Sequence, residues 1–119
     1  MPKQEEHIKK AKTNEEFGDY VLENAVQYNY WAVVAYHYSA LHWVEAYIEK
    51  VFRKHCTTHN AREDYISRDS NLRTIYNEYH QLSTDSLNAR YKIVRFVDAD
   101  FTVIKSYLEK IKNKINSHL

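Results

Sequence analysis

Tyr28-Asn29-Tyr30-Trp31-Ala32-Val33-Val34-Ala35-Tyr36-His37-Tyr38-Ser39-Ala40-Leu41-His42-Trp43-Val44-Glu45-Ala46-Tyr47 is the stretch on which the fold turns. It contains no glycine and no proline, so nothing in it breaks a helix. Of the eleven Tyr and two Trp in the chain, seven fall here, together with two of the seven His. Ala32, Ser39 and Ala46 recur every seven residues and lie on nearly one line of a helix, where small side chains let a neighbouring helix approach closely. Trp31, Tyr38, Leu41, Val44 and Ile48 flank that line. A purely structural helix more often uses Leu and Ile. This one carries hydroxyls and imidazoles on an aromatic scaffold, and is either a polar-tipped core helix or one wall of a site.

Outward from this helix, the rest of the chain reads as all-α. Gly18 is the only glycine and Pro2 the only proline. β-Rich folds and phosphate-cradling loops both need glycines at left-handed or close-approach positions, so P-loop and dinucleotide fingerprints are excluded. Met1–Lys12 is charged and reads as a short or frayed helix; Thr13-Asn14-Glu15-Glu16 has the pattern of a capping box that starts the next one. The long helix is expected from about Tyr28 to Lys54, with a further start at Asn60-Ala61-Arg62-Glu63. Leu72, Ile75, Tyr76, Tyr79 and Leu82 form an apolar stripe. Ser83–Ser86 reads as a polar turn and Leu87–Val97 as another helix. Asp98 or Asp100 is expected to cap the last helix, whose stripe is Phe101, Ile104, Leu108, Ile111 and Ile115. Short connections between these helices predict a four- to five-helix up-down antiparallel bundle forming a single domain over residues 1–119.

The totals restrict function. The formal charge of +1 gives no overall field for nucleic acid or a membrane surface, so such a partner needs a local patch. No apolar run reaches the length of a membrane span. The single Cys56 cannot form an internal disulfide and no signal peptide is evident, which together read as cytoplasmic.

Several constellations could carry chemistry. His55, Cys56 and His59 are three potential ligands in five residues, but a closed zinc site needs a fourth ligand and there is no second Cys. No Glu has a His three residues later, which excludes the paired Glu-x-x-His motifs of bundle di-iron sites. The expectation is no metal and no cofactor. His37 and His42 point about 140° apart on a helix and cannot share a face with Ser39 as a triad, although His42 could hydrogen-bond Ser39. Arg73 and His80 lie two turns apart on one face and offer a phosphate-stabilising cation and a proton carrier, the two roles of a metal-independent ribonuclease. The competing reading is two exposed polar residues. Arg90, among Leu87, Ala89, Tyr91 and Ile93, reads as partly buried and in need of a bound anion or an internal partner such as Glu45 or Asp85.

Tyr36-His37-Tyr38-Ser39-Ala40-Leu41-His42 with Glu45-Ala46-Tyr47, then His59-Asn60-Ala61-Arg62, then Tyr79, Leu82 and Ser83 leading into Ala89-Arg90-Tyr91, resemble a HEPN-type domain in order and spacing. The resemblance covers roughly Asn14 to Ile115. It implies a helical bundle, commonly a homodimer, among ribonucleases of toxin–antitoxin and other defence systems and non-catalytic RNA- or nucleotide-binding members. Some members partner with a small nucleotidyltransferase. Catalytic members carry an arginine and a histidine a few residues apart near the start of a late helix, paired across the dimer. Arg90 matches that arginine, yet no histidine occurs from Tyr91 to Ser117, and Arg73 with His80 lies one helix too early. The expectation is therefore a degenerate, non-catalytic homodimer, paired through the aromatic, small-residue face of the long helix, binding RNA or a nucleotide phosphate through His37, His42, His59, Arg62, Arg90 and Tyr91, with an antitoxin or nucleotidyltransferase as the kind of protein partner implied. The alternatives are a ribonuclease using Arg73 and His80, or Arg90 with a partner subunit's histidine, and a purely structural interaction module.

Overall fold

The helix expected from the opening stretch is present as Asn29–Phe52 (α2), and it is the central element of a computed structural model that describes residues 4–119. It is preceded by α1, Gln4–Asn24, and a 3-10 turn at Val26–Tyr28. After it come α3, His59–Arg68; a second 3-10 turn at Leu72–Ile75; α4, Tyr76–Tyr91; and α5, Asp98–Asn116. No strand occurs among the described residues. The fold is an all-α bundle: α1, α2, α4 and α5 alternate in direction, and α3 occupies the connection between α2 and α4.

The small-residue line does what its spacing requires. Ala32, Ser39 and Ala46 are fully buried, and α1 packs along α2. Ala11 of α1 is also buried, and the Ser39 hydroxyl donates to its carbonyl oxygen at 2.8 Å. Gly18 completes the close approach: a Cβ there would stand 2.6 Å from Tyr36 Cε1. The line faces α1 rather than a second subunit, so the dimer contact expected on this face is not available to one.

Four boundaries differ from expectation, each for a local reason. Thr13 does not cap a helix; its hydroxyl donates to the Lys9 carbonyl inside one continuous α1, because Ala11, Gly18 and Val21 all have a surface on α2 to bury. Residues 4–12 are thus its first turns, and 1–3 lie outside the described residues. The cap of α3 is Thr58, whose hydroxyl accepts from the Ala61 N–H at 3.1 Å, not Asn60. Ser83–Ser86 lies within α4, with Ser86 buried on its inner face, and the helix ends at Tyr91 instead of running to Val97. Leu87, Tyr91, Ile93, Val94 and Val97 are consequently exposed. The Asp100 carboxylate accepts from the Val97 N–H at 2.8 Å and fixes the start of α5. Its stripe, Phe101, Ile104, Leu108, Ile111 and Ile115, is buried throughout, and among the described residues no helix is long and apolar enough to cross a membrane.

The two ends of the bundle differ in chemistry. At one end α1 stops, α2 begins, and the Asn29 side chain donates to the Phe96 carbonyl, bringing the α4–α5 connection alongside. Phe17, Tyr20, Val26, Tyr28 and Trp31 are exposed there. At the other end α1 begins and α2 stops, at Arg53 in the left-handed conformation with φ 54°.

Candidate functional site

The polar groups of α2 sort onto two faces, as the angle between His37 and His42 requires. Glu45 is the hub of the first. It is buried, with its Oε1 accepting from Arg62 Nη2 at 2.6 Å and Nε at 3.1 Å. His7 Nδ1 of α1 lies 3.1 Å from Glu45 Oε2 and His42 Nδ1 lies 3.6 Å from it; the two imidazoles are 3.2 Å apart. Arg62 also meets His59 Nδ1 through Nη1 at 3.1 Å. A carboxylate so buried needs this compensation, and removing one partner of such a pair is far more damaging than never having it. Burial holds the His42 pKa down to about 4, against the opposing pull of Glu45. His7 is lowered too, again by burial first. Both rings are therefore pushed toward the neutral form, which makes their contacts with Glu45 weaker than full ion pairs.

His37 anchors the second face. It is buried beside the His59 and Tyr79 rings, and neither of its nitrogens has a protein partner. Burial, then the positive charge of His59, Arg90 and Arg62, lowers its pKa to about 3. The surroundings of His37 are thus electropositive. Arg90 is half-buried: Nε donates to the Ser86 carbonyl at 3.3 Å, Nη1 reaches the Tyr38 hydroxyl at 3.5 Å, and the guanidinium lies 5.3 Å from the Tyr91 ring centroid. It has no carboxylate partner among the described residues. Glu45, one expected partner, is held by Arg62, and Asp85, the other, accepts from Gln81.

Of the six expected ligand residues, His42, Arg62 and His59 form one connected network through Glu45 and Arg62, while Arg90 and Tyr91 form a second group adjoining His37. The expected Ser39–His42 bond is absent, since Ser39 serves Ala11 and His42 serves Glu45. Arg73 and His80 stay apart in their contacts. Arg73 is exposed in the 3-10 turn with no side-chain hydrogen bond among the described residues. His80 is exposed in α4, stacked on Tyr76, with Nδ1 3.7 Å from Glu63. Sequence reasoning missed Lys92 and Arg95. They were placed inside a helix, but they stand on the exposed connection 92–97 with no ion pair among the described residues. The signal was legible: no acidic residue occurs from Ser86 to Val97. No protein-family model, curated protein or solved structure matches this chain.

Proposed function

We propose that this chain is a non-catalytic, HEPN-like binding module that takes RNA or a nucleotide phosphate at the end of α4. The observation that carries this reading is Arg90: half-buried, oriented by Tyr38 and Ser86, and not neutralised by any described carboxylate. Arginine presents a planar fork suited to phosphate oxygens. Arg90-Tyr91-Lys92-Ile93-Val94-Arg95-Phe96 places two further cations and an exposed aromatic ring beside it. Cations that track a backbone, with aromatic faces for bases to stack on, are what single-stranded nucleic acid requires. Arg62 is reassigned from ligand group to structural clamp, because its charge is spent on Glu45.

The test is anisotropy of a labelled single-stranded RNA at low salt. Arg90→Ala is expected to weaken binding by about tenfold or more, at roughly 1–3 kcal/mol for a charge-assisted contact, without a matching loss of stability. No affinity in the wild-type protein sinks the reading. Incubation of the same RNA with chelator present is expected to leave it intact; cleavage abolished by His80→Ala would instead establish the ribonuclease alternative.

A second reading, an interaction module that pairs with a copy of itself, has its own observation. Phe17, Tyr20, Val21, Ala25, Tyr28, Tyr30 and Trp31 line an apolar groove at the α1–α2 end, on a molecule that leaves several large apolar side chains uncovered there. The two readings are compatible, since the groove and the Arg90 segment belong to the same end of the bundle. The cellular setting that the HEPN likeness implies, a toxin–antitoxin or other defence system with an antitoxin or nucleotidyltransferase partner, belongs to this proposal as well.

A further inference from the structure

At the opposite end of the bundle, three buried polar atoms have no protein partner: His7 Nε2, Glu49 Oε2 and His55 Nδ1. They come from the first turns of α1, the last turns of α2 and the segment just beyond it. The three residues offer ligand atoms that all lie within 4.8 Å of one another. Buried groups of this kind are normally hydrogen-bonded, so three orphans converging from separate elements call for a common partner. Two imidazoles and one carboxylate are the donor set of open zinc sites and of related divalent transition-metal centres.

We propose that His7, Glu49 and His55 form a divalent transition-metal site, with zinc as the fitting ion and one coordination position left open. The support around His7 matches what such a ligand needs. Its Nδ1 lies 3.1 Å from Glu45 Oε2 and 3.2 Å from His42 Nδ1, while its Nε2 has no protein partner. A carboxylate behind a metal-bound histidine fixes its tautomer and raises its basicity. Glu45 is in turn held by Arg62. Tetrahedral zinc brings its ligand atoms to roughly 3.3 Å from one another, a contraction within the reach of small side-chain rotations.

A neighbouring trio, His7, His42 and Glu45, also brings ligand atoms together. It is the poorer site, because its atoms already bond one another and the Arg62 guanidinium lies 2.6 Å from Glu45. A cation there would face a fixed positive charge. Glu49, by contrast, also lines a surface cleft with Gln4, Glu5, Lys50 and Arg53, which gives an ion and a fourth ligand a route from solvent. Sequence spacing offered His55, Cys56 and His59 as ligands and set them aside for want of a fourth. Of these only His55 belongs to the site, since His59 is turned toward Arg62.

The test uses the full, untagged chain stripped with chelator and titrated with zinc chloride by calorimetry. One equivalent is expected to bind at micromolar or tighter Kd and to raise Tm. Cobalt(II) in its place is expected to give visible d–d bands of a low-symmetry four-coordinate ion. His55→Ala and Glu49→Gln, at the less buried ligands, are each expected to weaken binding at least tenfold while the metal-free Tm stays near wild type. His7→Ala removes a buried group and is the less informative variant. Absence of saturable zinc binding in the stripped wild-type protein overturns the proposal. So does full retention of affinity in the Glu49→Gln/His55→Ala double variant, which would place the ion elsewhere.

Discussion

His37 shows how burial, reinforced by neighbouring positive charge, sets the behaviour of a titratable group. With no acceptor or carboxylate facing it and positive charge around it, it is held neutral down to about pH 3. A histidine whose folded pKa lies below its unfolded value of 6.5 binds fewer protons folded than unfolded. Its contribution is therefore complete above pH 6.5 and is lost as pH falls from there toward 3. His42, at about 4, and His7, also lowered, act in the same direction. Stability is expected to fall by on the order of several kcal/mol across that window. Urea unfolding at stepped pH should show the fall, and His37→Leu should flatten it; an unchanged slope would mean that His37 is not the buried base described. The same scale separates the two inner arginines. Arg62→Ala leaves Glu45 buried without its main partner and is expected to destabilise by about 3–5 kcal/mol, read as a lowered urea midpoint. Arg90→Ala removes no buried ion pair and should affect stability far less. Which arginine had the partner was not legible in the sequence. Both follow a connection, and only the packing of α3 on α2 decides that Glu45 meets Arg62.

Among the elements, the α1–α2 pair is where the sequence was most readable. Seven-residue spacing of Ala32, Ser39 and Ala46 announced a close helix contact, and α1 fills it through Ala11 and Gly18. What spacing could not announce was the identity of the neighbour, which is why the same line read as a subunit contact. Gly18→Ala makes a sharp test. Alanine gains about 1 kcal/mol of helix propensity over glycine, yet its Cβ would meet the Tyr36 ring at 2.6 Å. Tyr36 is not free to withdraw, because its hydroxyl donates to Asp19 at 2.6 Å. The substitution is expected to lower Tm despite the propensity gain; a raised Tm would show that the helices can separate at little cost. The α4–α5 region was the least readable. Leu87, Tyr91 and Val94 have helical spacing, so periodicity extended the helix past Tyr91. Among the described residues no neighbour buries those side chains, and the Val97 N–H donating to the Asp100 carboxylate starts α5 instead. The face read from that spacing does not form, because Val94 lies beyond the end of α4 and all three side chains are exposed.

For the whole molecule, the two ends divide the work proposed for it: a His/Glu cluster at the α1 start, and an apolar, basic-edged surface at the α4 end. All-α class and up-down order followed from the lack of glycine and from periodicity, which are local. The clusters join residues as distant as His7 and Glu45, and no local rule reports such contacts. The exposed Phe17, Tyr20, Tyr28 and Trp31 predict self-association, with sedimentation of the wild-type chain giving a dimer and Trp31→Glu with Tyr28→Glu shifting it to monomer. A wild-type monomer at high micromolar concentration would remove the dimer from the account. The central claim is that Arg90 and its neighbours take the phosphate of a nucleic acid. It is tested most directly by titrating isotope-labelled protein with a short single-stranded RNA at low salt and following backbone and side-chain NMR shifts. Saturable shifts centred on Tyr38, Arg90, Tyr91, Lys92 and Arg95, and lost in Arg90→Ala, are the predicted result. No shifts at saturating RNA, or shifts that persist unchanged in Arg90→Ala, would contradict it.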